Sequence, residues 1–442
     1  MIRRFDRMTV TVEGLDGDLS GWAEVDGMRI HLPGGLPGDE AEVRIEAVSR
    51  HRPEAWASLR SLSDEGGRVS DRVPECEHAW PLGGRCGGCP GMHVDYELQL
   101  QAKAAALAEV LAPLARPDPV EVRPSPLTSG WRNRTNHVVQ RKQKGPVRLG
   151  SRAPRSADFA AMDGCLAVRP PMARLASRVA GLLKPARGIR YVSLRVNQQG
   201  DALVELITRD LGAPWVPEVA ESILRLPPVL GVAGSDNDSD GNAIRIAPAQ
   251  VLCGEATLTE RFGDIPAHVT SDAFLQLNPE VAEQIYSVVA GWAGAASPSK
   301  VVDLYCGVGP LGLTAAAATG AQLIGVEVHA GSQPLASRAA KDAQVPAEFV
   351  VAGLDDAVPA GILEDAQVIT VNPPRRGLDA PVRSALADLS GDRVLAYMSC
   401  STKTLVRDVQ ALTEAGWRLT DLSAWDMLPN TAHVELLARL ER

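Results

Sequence analysis

Apolar and polar residues alternate in short bursts over residues 8–62: Met8-Thr-Val-Thr-Val, Gly21-Trp-Ala-Glu-Val, Met28-Arg-Ile-His-Leu and Ala41-Glu-Val-Arg-Ile. Clusters such as Pro33-Gly-Gly-Leu-Pro-Gly separate them. A period of two with turns at this spacing predicts a small all-β barrel. Residues 63–92 are irregular. From Tyr96 to Leu114 the period lengthens to that of a helix (Leu98, Leu100, Leu107, Val110, Leu111), closed by the stretch Pro117 to Pro126. Mixed strands and helices follow to about Arg261. Within them Ser235-Asp-Asn-Asp-Ser-Asp-Gly reads as a solvated hairpin loop. A calcium loop would need a Glu at its twelfth position, close to where Ile246 stands. From about Val301 the pattern changes to apolar strands (300–305, 322–328, 367–371, 393–398) alternating with Ala-rich helices. Such strands predict a parallel sheet covered on both faces, with ligands outside its carboxyl ends. A chain of 442 residues suits three domains, here divided as 1–62, 63–265 and 266–442.

Charge at first argues against a polyphosphate partner, because 45 basic residues meet 54 acidic ones for a net −9. The balance is local, however. Between Glu121 and Arg155 nine basic residues face one acid, a net +8 that leaves −17 for the rest. The seven cysteines are sparse and odd in number. The N-terminus Met-Ile-Arg-Arg-Phe-Asp-Arg-Met lacks the apolar core of a signal peptide, and no apolar run approaches the roughly 18 residues of a membrane span. A cytoplasmic protein with reduced thiols is expected. Clustered cysteines then read as metal ligands or nucleophiles.

Candidate chemistry gathers at the ends of the late strands. Cys306-Gly307-Val308-Gly309 follows the strand ending at Tyr305, and Gly-x-Gly lets backbone approach a ligand at a helix N-terminus. Glu327, about twenty residues on, ends the next strand, where a carboxylate can accept ribose hydroxyls. With Gly312 the dinucleotide fingerprint is formally complete, so a dinucleotide enzyme and an S-adenosylmethionine methyltransferase compete. Asn372-Pro-Pro-Arg375 closes a third strand and holds a polar side chain at the same mouth. Cys400, at the end of a fourth, would face it as a nucleophile. Glu435, flanked by Val434 and Leu436, is a candidate base with a raised pKa.

Together these residues resemble a known family. Asp-Leu-Tyr-Cys-Gly-Val-Gly (303–309), Pro-Pro-Arg-Arg-Gly (373–377), Ser-Cys-Ser-Thr-Lys-Thr-Leu-Val-Arg-Asp (399–408) and Asp-Met-Leu-Pro-Asn-Thr-Ala-His-Val-Glu (426–435) are similar to blocks of the RNA uracil-C5 methyltransferases. Gly130-Trp-Arg-Asn-Arg134 and Phe274-Leu-Gln276-Leu-Asn278 match further blocks, and the 8–62 barrel resembles a TRAM domain, an OB-like RNA-binding module. The resemblance implies an α/β chain: a Rossmann-like catalytic domain, the OB-like barrel, and a central α+β domain. It implies Cys400 as nucleophile toward uracil C6, Glu435 as the base that removes the C5 proton, and Gln276, Tyr305, Gly307, Gly309, Glu327 and Asn372 as contacts to S-adenosylmethionine. Phe274, Arg132, Arg134 and Arg141 are expected to touch RNA. The substrate is expected to be 23S ribosomal RNA, with a transfer RNA T-loop uridine as alternative; neither a membrane nor an obligate protein partner is expected. Three positions depart from the family pattern: Asn372 replaces an acid, Pro310 a common Asn, and Gly353 falls near another Asn. They leave open a non-catalytic RNA-binding protein that retains the fold, although such a protein would need neither Cys400 nor Glu435.

Cys76, Cys86 and Cys89 form Cys-x9-Cys-Gly-Gly-Cys, and Cys165 follows. Four thiolates suit a tetrahedral zinc ion or a [4Fe–4S] cluster. Only one Cys-x2-Cys pair is present, whereas a zinc ribbon brings two. The resemblance favours the cluster, in a structural role that presents the basic window to RNA. Cys253 and Cys306 read as packing residues.

Overall fold

The computed structural model describes residues 2–62, 74–114, 120–142 and 144–442. The segments 63–73 and 115–119, part of the irregular stretch and of the proline-bounded closure, lie outside the described residues.

The alternating N-terminal bursts form a six-stranded sheet in the order Arg7–Thr11, Glu40–Val48, Glu54–Leu62, Met28–Leu32, Gly21–Val25, Gly14–Leu15. Val12 donates to Asp39 O on one side (2.8 Å) and Glu13 to Trp22 O on the other (2.8 Å), so the chain after the first strand joins the sheet's two ends. The closed surface buries Val10, Val12, Ile30, Leu32, Val43 and Ile45, the inward set that a period of two requires.

The central part is a seven-stranded mixed sheet in the order Phe159–Ala161, Arg148–Arg152, Arg134–Gln140, Ile189–Val196, Ala202–Thr208, Val229–Asp236, Gln250–Gly254. Helices Pro170–Leu182 and Trp215–Leu224 pack on it around Met172, Leu175, Val192 and Leu206. The Asp-rich loop is held by arginines: Arg209 pairs with Asp240 (2.7 Å) and Arg190 bonds Asn237 and Ser239.

The C-terminal sheet has eight strands in the order Ala347–Val351, Gln322–Glu327, Lys300–Leu304, Val368–Val371, Val394–Ser399, Glu435–Glu441, Arg418–Trp425, Val122–Arg123. The first five run parallel and Glu435–Glu441 runs antiparallel to its neighbours. From Lys300–Leu304 the chain builds outward on one side, then returns to Val368–Val371 on the other. That reversal opens a crevice at the carboxyl ends, where such sheets bind ligands.

Residues 96–114 and 120–123, within the stretch assigned by pattern to the central part, pack on the C-terminal sheet. Val122–Arg123 pairs in parallel with Ala424–Trp425, and Leu100, Leu107 and Leu111 of helix Tyr96–Leu111 share a core with Val302, Ile369 and Leu405. A two-residue strand carries too little periodicity to reveal its sheet.

Candidate active site

A cavity of about 900 Å³ opens at the crevice, lined by Gln276, Tyr305, Gly307, Glu327, Asn372, Arg375, Cys400 and Glu435 among others. This volume lies within the range of small-molecule sites. Tyr305, Gly307, Glu327, Asn372, Arg375 and Cys400 come from the carboxyl end of a parallel strand or the turn after it, Glu435 from the start of an antiparallel strand and Gln276 from the loop before helix Pro279–Ala296, so the topology converges side chains far apart in sequence.

The first wall is the turn after Lys300–Leu304. Gly307 and Gly309 adopt φ of 58° and 87°, and a Cβ on Gly307 would meet nothing within 4 Å. The backbone there can take a ligand closely. Glu327 fixes the turn: its carboxylate accepts from Gly307 N and His329 N, both at 2.9 Å. Gly309 lies behind the cavity as the N-cap of helix Pro310–Ala317. Pro310 is the first residue of that helix, where a missing N–H costs nothing, so this departure is compatible with the local fold. At Gly353 a Cβ would stand 2.7 Å from the carboxylate of Asp355, which lines the cavity itself. Tyr305 donates to Asp379 (3.0 Å), accepts from its backbone N–H (3.1 Å), and closes another side of the cavity. Asp355 and Asp379 were not anticipated from the sequence, where they are two acids among many.

The second wall carries Cys400 and Glu435. Cys400 is exposed to the cavity at the end of Val394–Ser399. Burial, then the Glu435 carboxyl, pushes its thiol up, while Arg375 opposes both by its charge and a hydrogen bond to the sulfur. Arg375 is thus the cation that favours the thiolate. Glu435, 4% exposed, begins Glu435–Glu441 opposite Trp425. Burial pushes its carboxyl up to about 8, and its Oε1 has no hydrogen-bond partner. Asp303, buried beside the same cavity, is pushed up to about 7 by burial, although Thr370 (2.7 Å) and Gly312 N (3.0 Å) donate to it. The sequence pointed to Glu435 as an acid with a raised carboxyl, whereas Asp303, also raised, reads in the sequence only as part of a glycine-loop block.

Phe274 stands 65% exposed on the cavity rim, and Gln276 is buried beneath it. Arg134 donates to Ala273 O at 3.0 Å, and Arg132 Nε to Arg134 O at 2.8 Å. Arg141 donates to the carbonyls of Lys184, Leu183 and Ala186 at 2.8, 2.7 and 2.8 Å, beyond the end of helix Pro170–Leu182. These guanidiniums donate to the protein's own backbone, and Arg134 keeps Nε and Nη2 buried with no partner. Lys142, Lys144 and Arg155 of the same window are exposed.

Cys76, Cys86, Cys89 and Cys165 share one neighbourhood away from the cavity. Burial and the nearby thiols of Cys165, Cys86 and Cys76 push Cys89 up to about 12. Arg132 lies within electrostatic reach of Cys165, Cys89 and Cys86. A zinc ion with sulfurs at about 2.3 Å would draw them to about 3.8 Å apart. Among the described residues no three His, Cys, Asp or Glu side chains form a group that could hold a metal ion. No helix among the described residues is long and apolar enough to cross a membrane.

Comparison with known proteins follows the same lines. Residues 363–442 match the family described as tRNA (Uracil-5-)-methyltransferase. An uncharacterized RNA methyltransferase of Thermosynechococcus vestitus is 31% identical, over 92% of this chain and 91% of its own. The chain belongs to the RNA uracil-C5 methyltransferase family. A second uncharacterized RNA methyltransferase, from Halalkalibacterium halodurans, is 28% identical over 100% of this chain and 98% of its own. The crystal structure of Pyrococcus abyssi tRNA (uracil-54, C5)-methyltransferase in complex with S-adenosyl-L-homocysteine superposes with a TM-score of 0.75 at 25% identity, covering 98% of this chain and 99% of that one. The protein is an S-adenosylmethionine-dependent RNA methyltransferase with a Rossmann-like catalytic domain.

Proposed function

We propose that this enzyme forms 5-methyluridine at one uridine of a folded RNA, with Cys400 as nucleophile and Glu435 as base. The observation that carries the reading is the convergence of these two side chains, with Arg375, on one cavity. Uracil C5 is a poor nucleophile. Addition of the Cys400 thiolate to C6 pushes electron density onto C5, which can then accept a methyl group. S-adenosylmethionine supplies that methyl on a cationic sulfur. Gln276, Tyr305, Gly307, Glu327 and Asn372 would hold it, with Gly309 shaping the turn behind them; Gly307 offers open backbone and Glu327 a fixed carboxylate. Glu435 afterwards removes the C5 proton, the double bond re-forms, and Cys400 departs from C6. Phe274 on the rim is placed to stack against the extruded base.

The target is 23S ribosomal RNA, supported by an N-terminal barrel of TRAM type joined to a cysteine quartet. Likeness to the Pyrococcus abyssi tRNA enzyme favours a T-loop uridine as second reading. The quartet holds a [4Fe–4S] cluster with a structural role. The three domains divide the work into barrel, cysteine-bearing central part and catalytic part, acting in the cytoplasm. Mapping 5-methyluridine in ribosomal and transfer RNA of a deletion strain tests the target: loss at one ribosomal uridine is expected, loss only in transfer RNA selects the second reading, and no loss overturns both. Iron and acid-labile sulfide in anaerobically purified protein, lost in Cys86→Ser, test the cluster; stoichiometric zinc instead would refute it.

A further inference from the structure

The hairpin that carries Glu435 is gripped from the N-terminal half of the chain. Between Arg418–Trp425 and Glu435–Glu441 the connection 426–434 crosses the mouth of the sheet, and its Met427 and Leu428 line the cavity. At its apex Asn430 adopts a left-handed φ of 64°, and all four of its polar groups are engaged. Its N–H donates to Gln99 Oε1 (3.1 Å) and its Oδ1 accepts from Gln99 Nε2 (3.0 Å). Its carbonyl accepts from Gly91 N (3.0 Å), and its Nδ2 donates to Thr128 O (3.1 Å). Gln99 is 1% exposed and also donates to the carbonyls of Gly91 and Val94. One helical turn on, Lys103 pairs with Asp426 at 2.7 Å, both buried. Gly91 lies two residues beyond Cys89.

Buried polar groups of this kind hold one arrangement because each alternative leaves a donor or acceptor unpaired. Glu435 has no hydrogen bond to Oε1 to orient it. Its position is therefore set through its backbone, by the hairpin it begins.

We propose that Gln99, with Asn430, is a positioning residue for proton abstraction, linking the cysteine-bearing segment to the hairpin that aims Glu435. This rests on the function proposed above. In the step concerned the Glu435 carboxylate takes the C5 proton, the C5–H electron pair becomes the C5–C6 double bond, and the C6–S bond breaks to return the thiolate to Cys400. Cys400 lies on a different strand, so thiol addition and methyl acceptance do not depend on the grip.

The test uses Gln99→Met, which keeps size and removes both hydrogen bonds to Asn430, and Asn430→Gly, which keeps the left-handed turn. Each is assayed with unmodified RNA for turnover and with 5-fluorouridine RNA for covalent adduct. A slightly misaimed base costs about tenfold or more in kcat. We expect that loss, with KM for the methyl donor and adduct yield near wild type, and covalent enzyme accumulating on unmodified RNA. Turnover equal to wild type in both variants overturns the proposal. So does a parallel fall of turnover and adduct yield, the mark of a merely structural role. A wild-type protein that forms neither adduct nor product overturns the parent reading, and is told apart because no substitution is involved.

Discussion

The cavity mouth and the basic window both announce themselves in the sequence by dense chemistry, and they fold into different sheets. At the mouth, Gly307, Asn372 and Cys400 each follow, and Glu327 ends, one of the five parallel strands of the C-terminal sheet, and parallel strands deliver their carboxyl ends to one side. In the window, Arg134 begins a strand of a mixed sheet, where successive side chains alternate between faces, and Arg132 and Arg141 flank that strand. Arg134 and Arg141 turn to backbone carbonyls, and only the residues beyond the strand, such as Lys142 and Lys144, remain exposed. A charge tally therefore identifies a basic segment. It does not identify which cations face a partner.

The contrast can be broken most forcefully at the mouth. Cys400→Ala should lower methyl transfer by at least about a thousandfold and abolish the adduct with 5-fluorouridine RNA, read by incorporation of labelled methyl and by denaturing gel. Residual activity near wild type would move the nucleophile elsewhere.

Glu435 comes next. As a base it acts ionised, and burial holds its carboxyl at about 8 instead of the ordinary 4.5. Turnover should climb from pH 6 to 9, and a flat profile would contradict the assignment. The same shift predicts a stability effect of definite sign. Between about 4.5 and 8 the folded chain retains a proton that the unfolded chain has released, so stability from this group falls as pH rises through that window. Glu435→Gln should therefore melt higher than wild type at pH 8, with the gap shrinking toward pH 5.

Arg375 gives a smaller change. Arg375→Leu removes the cation and the hydrogen bond that favour the Cys400 thiolate, so alkylation of that thiol at pH 8 should slow by about five- to tenfold. An unchanged rate would assign the arginine to another task.

The smallest effects separate the two kinds of basic residue. Neutralising Lys142, Lys144 and Arg155 together should weaken RNA binding and flatten its salt dependence by up to about three ions. Arg141→Ala should instead cost about 1 kcal/mol of stability through its lost carbonyl contacts and leave the salt slope unchanged. The reverse pattern would return Arg141 to the RNA surface.

What was legible in the sequence followed from periodicity and strand ends. The period of two fixed the barrel, and apolar strands with intervening helices located the mouth and with it Gly307, Glu327, Asn372, Cys400 and Glu435. What stayed hidden depends on contacts between distant segments. Gln99 meets Asn430 across 331 positions, and Val122–Arg123 joins a sheet whose other strands begin at Lys300. Neither leaves a local mark, because a buried glutamine on a helix looks in sequence like an exposed one. Asp379 and Asp355 were missed likewise: an acid is conspicuous in the sequence only when an apolar strand surrounds it, as one surrounds Glu435.

The most direct test of the account is to incubate Glu435→Gln with substrate RNA and S-adenosylmethionine and to weigh the product by intact mass spectrometry. With the nucleophile present and the base absent, the account predicts enzyme joined to RNA through Cys400 and carrying one added methyl group. Methylated free RNA at the wild-type rate, or no covalent species under conditions where wild type turns over, would contradict it.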